Sequence, residues 1–168
     1  MNGNRLVFVK YPEGDVVEPI QKKKGQYFGR PVFDKGAIII LLVDFGENKI
    51  KVVRYYSETK EMDVMAIIDR SEITDCYNLL LRVSPLYLSG DGKVEYYEIL
   101  WPDKSEFPIE ENEAIFRRED NMLISSSWKE TPEYHEDTII RRYPTGEIIN
   151  RFEGSFVEML DGQKWILE

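Results

Sequence analysis

The sequence predicts an all-β chain: a single, mainly antiparallel domain over residues 1–168, built as a barrel or sandwich, with a propeller-like blade array as the alternative. Three observations carry that prediction. Short β-prone runs alternate with turn residues along the whole length, and no segment sustains the apolar spacing of a long amphipathic helix. Four related hairpin phrases also recur about every 44 residues: KYPEGD from Lys10, RYYSETKE from Arg54, LWPDKSE from Leu100 and RRYPTGE from Arg141. A composition of 42% hydrophobic and 32% charged residues supplies a core and argues against disorder.

In chain order, Arg5 to Tyr11 and Asp15 to Ile20 read as a strand pair around PEG, with Pro19 making the second member short or placing it at an edge. QYFGRPVF reads as an irregular strand punctuated by Gly29 and Pro31. GAIIILLVDF is the strongest strand signal, its continuous apolarity suiting a strand covered on both faces. GEN turns the chain into KIKVVRYY, and EMDVMAII follows. YNLLLRV is a strand that LYL extends beyond Pro85, and SGDG supplies the turn into KVEYYEILW. SEFPI is a short edge strand. Glu110 to Asp120 reads as a helical turn, an exposed loop or a further strand. NMLISSSW, DTIIRRY, EIINRF and SFVEML are successive strands, and DGQK leads into WIL. The total is roughly eleven strands.

The aromatics of the four phrases, Tyr11, Tyr55, Trp101 and Tyr143, lie 44, 46 and 42 residues apart. Alternation places Tyr143 on the same side of its strand as Ile139 and turns Arg142 away. Proline follows three of these aromatics, and Gly14 and Gly146 supply positive φ in PEG and PTG. A degenerate repeat and independent solutions to one strand-to-turn problem both fit this pattern. The final phrase leaves too little chain for a fourth complete blade, and the N-terminal hairpin could complete a sheet begun by the C-terminal strands.

The formal charge of −9 is uneven, since residues 1–30 carry +3 and the remainder −12. That balance opposes binding to nucleic acid or an anionic membrane, and QKKKGQ is too small a basic patch to reverse it. The acidic remainder suits a protein partner with a basic surface. Cys76 is the lone cysteine, so no internal disulfide framework exists, and a cytoplasmic, reducing location is expected. The N-terminal apolar run is too short for a signal-peptide core, and AIIILLV is too short to span a bilayer as a helix.

Candidate chemistry is sparse. His135, in TPEYHED, has neighbouring carboxylates able to orient an imidazole, but no local nucleophile accompanies it. Cys76 reads as a small buried hydrophobe. One Cys and one His are too few for a soft-metal site, HExxH is absent, and neither acidic loop matches an EF-hand. No cofactor is expected. GQYFG and YPTGE lack the context of a phosphate loop, and SSSW reads as the frayed end of a strand or a polar pocket wall. The expected function is a non-enzymatic protein-binding module, an inhibitory or neutralising accessory protein, with Trp101 and Tyr143 as aromatic anchors and Asp103 and Glu147 as acidic rim. The alternatives are a β-barrel carrier of a small ligand and a carboxylate-dependent hydrolase.

Overall fold

The computed structural model describes residues 3–93 and 95–167. It is all-β and antiparallel, and its one helical segment among the described residues is a 3-10 turn at Arg70–Glu72. Contacts gather in two compact units, Met1–Gly92 and Lys93–Glu168. The sheets are open, with no barrel closure among the described residues.

The first unit begins with a hairpin of two-residue strands, β1 (Phe8–Val9) and β2 (Val16–Val17). The first strand is shorter than the sequence suggests, the second is short, as Pro19 allows, and Phe8 pairs with Val17. Next come β3 (Gln26–Phe28), β4 (Val32–Asp34), β5 (Ala37–Asp44), β6 (Lys49–Tyr55) and β7 (Met62–Asp69). They form one sheet in the order β3-β5-β6-β7, with β4 pairing the other end of β5. The split of QYFGRPVF follows from Pro31, which has no N–H to give a ladder.

As expected, β5 is buried on both faces. Ile40 and Leu42 pack with Phe28, Val53 and Tyr55 beneath Leu6, Phe8, Val17 and Ile20 of the N-terminal arm. Leu41 and Val43, on the opposite face, border a cleft with Phe45, Tyr77 and Leu79. Burying such a strand on both faces contributes about 1.5–3 kcal/mol per large aliphatic side chain, which makes β5 the organising element of this unit.

The last strands of the unit are β8 (Leu79–Arg82) and β9 (Tyr87–Lys93), whose final residue, Lys93, is already counted in the second unit. LYL does not extend β8. The chain reverses through Pro85, and Tyr87 pairs back onto Arg82. SGDG is likewise strand rather than turn, with its backbone inside β9. Ser89 is buried at 2% exposure beside Tyr87 and Leu88, so this part of β9 is covered.

The second unit comprises β10 (Tyr96–Trp101), β11 (Ser105–Pro108), β12 (Glu113–Glu119), β13 (Met122–Lys129), β14 (His135–Arg142), β15 (Ile148–Glu153), β16 (Ser155–Glu158) and β17 (Lys164–Leu167). Strands β12 to β15 form a four-stranded meander, and β10-β11 and β16-β17 pair as hairpins. Of the three readings of Glu110 to Asp120, the strand is correct. Asp120, at φ 47°, makes a tight turn from β12 into β13. SSSW lies inside β13 and is not frayed, because each serine hydroxyl finds a carboxylate: Glu113, Glu136 or Glu110.

The recurring phrase is a shared turn in three cases. The N–H groups of Lys10, Tyr56 and Arg142 donate to the carbonyls of Asp15, Glu61 and Glu147 at 2.9, 3.0 and 2.7 Å. Four residues on, the N–H groups of Gly14, Lys60 and Gly146 donate back to Lys10, Tyr56 and Arg142 at 2.7, 2.8 and 2.8 Å. The closing residues are left-handed, with φ of 83, 60 and 74°. RYYSETKE therefore aligns two residues later than its Tyr55 suggests, since Tyr55 still pairs with Met62 in the ladder. LWPDKSE differs: its ladder closes at Ile99 and Ser105, leaving a different loop.

Candidate functional site

Ile139, Arg141 and Tyr143 are buried along one side of β14 and the turn after it, while Arg142 is exposed. That is the alternation the sequence predicts, but it carries a guanidinium inward. Arg141 donates from Nε and Nη2 to the two carboxylate oxygens of Glu113 at 2.8 and 2.7 Å, and from Nη1 to the Gly146 carbonyl at 2.8 Å. Ser125 and the Glu110 amide also donate to Glu113, at 2.5 and 2.9 Å. Burial raises the Glu113 carboxyl pKa, but the Arg141 hydrogen bonds, the amide and the hydroxyl outweigh it and hold the group below its ordinary value. A Cβ on Gly146 would lie 2.0 Å from the Phe107 ring, so the turn closes directly onto β11.

Tyr143 is 6% exposed, with the Arg118 guanidinium 3.3 Å from its ring centroid. Burial first, then the Asp103 carboxylate, raises its phenol pKa against the lowering effect of Arg118. The structure thus brings Asp103 and Tyr143 together, but with the ring covered. Trp101 is half-buried and Asp103 exposed, while Glu147 is exposed and accepts from Arg142 Nε at 2.9 Å. Tyr11, by contrast, is 93% exposed, so the phrase aromatics share no common platform. Within RRYPTGE, Arg141, Tyr143 and Gly146 are buried while Arg142, Thr145 and Glu147 are exposed.

His135 Nε2 lies 2.9 Å from Asp137 Oδ1, and Nδ1 lies 3.6 Å from Glu153. Arg151 donates to Asp137 at 2.6 Å and also pairs with Glu110. Beside them Glu136 accepts from Ser126 at 2.5 Å, from Ser155, and from Tyr134 at 3.1 Å. The Ser126 and Ser155 hydroxyls hold the Glu136 carboxyl below its ordinary value against the opposing effect of burial. Asp137 is also lowered, since Arg151 and His135 outweigh its burial. Hydrolysis by paired carboxylates needs one acid with a raised pKa, and these two are shifted the other way. The serines here spend their hydroxyls on Glu136, and none is bonded to His135. Among the described residues no cluster of three His, Cys, Asp or Glu is placed to hold a metal ion.

The first unit holds a different kind of site. Arg30, Pro31, Val32 and Phe33 of the β3–β4 segment face Leu79 to Val83 across a groove of about 480 Å³. That lies within the range of ligand sites, roughly 300–1,000 Å³. The clefts beside Cys76 and His135, at about 120 and 170 Å³, are too small. Among the described residues β4 pairs with β5 alone and β8 with β9 alone, so each leaves one edge without a partner strand, and residues of both line the groove. Phe33, Leu80 and Val83 expose 68, 41 and 38% of their surfaces. Sequence reasoning missed this groove. Its signals were present in Pro31, which splits the strand, and in Phe33, an aromatic that alternation leaves outside the core.

Comparison with family models, curated proteins and solved structures found no match to this chain. No helix among the described residues is long and apolar enough to cross a membrane.

Proposed function

We propose that the chain is a non-enzymatic protein-binding module that accepts an extended peptide segment in the groove between β4 and β8. The supporting observation is the pairing of open strand edges with exposed apolar side chains, Phe33, Leu80 and Val83, in one groove. An added strand gains main-chain hydrogen bonds at such edges, and alternate side chains enter the apolar walls. In this reading the partner as a whole has a basic surface, complementary to the net charge of −9, and meets the module in a reducing, cytoplasmic setting where Cys76 stays a thiol. Inhibition or neutralisation follows where the captured segment belongs to the partner's working surface.

Selection of displayed decapeptides on the immobilised full chain tests this. Selected peptides should bind the wild-type chain and lose most of their affinity for Phe33→Asp and Leu80→Asp, both changes at exposed side chains. Equal binding to these variants, or no selected binder, counts against the groove.

A second reading rests on the exposed carboxylate of Asp103 beside the half-buried Trp101. In it these residues, with Glu147, meet the basic partner surface directly. Tyr143 takes no part, because its ring is covered by Arg118.

A further inference from the structure

Resting on the peptide-groove reading, we infer that the captured segment carries a carboxylate among apolar residues, and that Arg30 and Arg82 recognise it. The chain has ten arginines, and eight of them already hold a partner within the fold. Arg5, Arg54, Arg117, Arg141, Arg142 and Arg151 face carboxylates. Arg70 holds Asn48 and the Phe45 ring, and Arg118 holds the Asp120 carbonyl and the Tyr143 ring. Among the described residues only Arg30 and Arg82 have none, and both line this one groove. In a chain with 31 acidic side chains, two unpaired guanidiniums in the same groove go against the general charge balance.

Arg82 is the sharper case, because its Nε is shielded from solvent and has no hydrogen-bond acceptor. A buried, unsatisfied donor on a charged group is costly, and a carboxylate is the acceptor whose two oxygens match the guanidinium fork. The apolar walls define what flanks that carboxylate. Phe33 on one side, with Leu80 and Val83 on the other, favour aliphatic or aromatic neighbours over further charges. The ligand class is therefore an extended apolar peptide with one Asp or Glu at its centre, presented by a partner whose wider surface is basic.

The probes are fluorescein-labelled hexapeptide pools with Glu, Gln or Lys at the central position and Val, Ile, Leu or Phe in the flanks, titrated by anisotropy against the full chain. The Glu pool should bind about tenfold more tightly than the Gln pool, with the Lys pool weakest, and added salt should shrink the difference. Arg30→Gln, at an exposed side chain, should reduce the Glu preference without unfolding the chain, and Arg82→Lys should reduce it further. Equal binding of the Glu and Gln pools, lost in both cases with Phe33→Asp, overturns the carboxylate inference while the groove stands. Failure of all pools, or indifference to Phe33→Asp, removes the groove itself. Sedimentation should show a monomer, and a dimer dissolved by Phe33→Asp would assign the groove to a second copy and overturn the inference.

Discussion

The side chain with most at stake in the second unit is Glu113. Its carboxylate is fully enclosed and meets Arg141 through two parallel bonds, with Ser125 and a backbone amide completing its shell. Such a pair adds little net stability over a well-packed apolar pair, yet removing one member strands the other charge. Glu113→Gln should therefore cost about 3–5 kcal/mol, read as a lower urea midpoint at unchanged slope. A loss under about 1 kcal/mol would show that Arg141 finds another acceptor or reaches water. Alternation was enough to place Arg141 on the Ile139 side of β14. It could not reveal that Glu113, on a strand 28 residues away, would neutralise it.

Among elements, the four-residue turn closed by a left-handed residue shows how one backbone solution serves different sequences. Tyr-Pro-Glu-Gly, Ser-Glu-Thr-Lys and Tyr-Pro-Thr-Gly all make the same pair of main-chain bonds. The surroundings distinguish them. Nothing lies within 4 Å of a Cβ built on Gly14, whereas one on Gly146 meets the Phe107 ring. Gly14→Ala should cost about 1–2 kcal/mol from backbone strain alone. Gly146→Ala should cost roughly 2–5 kcal/mol, since displacement of the ring adds to the same strain. Thermal unfolding of the two variants side by side measures the difference, and equal losses would mean that Phe107 moves aside freely. The turn chemistry was legible in PEG and PTG. Its occurrence in SETK was not, because Lys60 gives no local hint of its φ of 60°.

For the whole molecule, acid is the informative perturbation. Asp44 is lowered because Gln26 and the amides of Glu47 and Gly46 outweigh the opposing effect of its burial, and Glu113, Glu136 and Asp137 are lowered as described above. A carboxylate whose pKa is depressed in the fold contributes stability that is present above its unfolded value, near 4, and lost as pH falls through the folded value. Urea unfolding should thus be nearly level from about pH 7 to 5 and weaken below about pH 4. Protonation also relieves the repulsion of a net −9 chain, but that effect is long-range and screened at physiological salt. Stability rising toward pH 3 would show repulsion to be the larger effect, and Glu113→Gln should flatten the acid limb.

The all-β class, the buried β5, the inward side of β14 and two of the three shared turns can be read from the order of residues alone. Each is set by local periodicity or by a glycine and proline whose backbone limits act where they stand. That Glu113 meets Arg141, that Tyr143 is covered by Arg118, and that β4 and β8 border one groove emerge from the folded chain. The physical reason is range. Alternation fixes which way a side chain faces, but the charge, ring or open edge it meets there belongs to a strand brought in from elsewhere in the chain. For the same reason, ten arginines alike in sequence separate into eight that meet a partner within the fold and two that, among the described residues, meet none and line one groove.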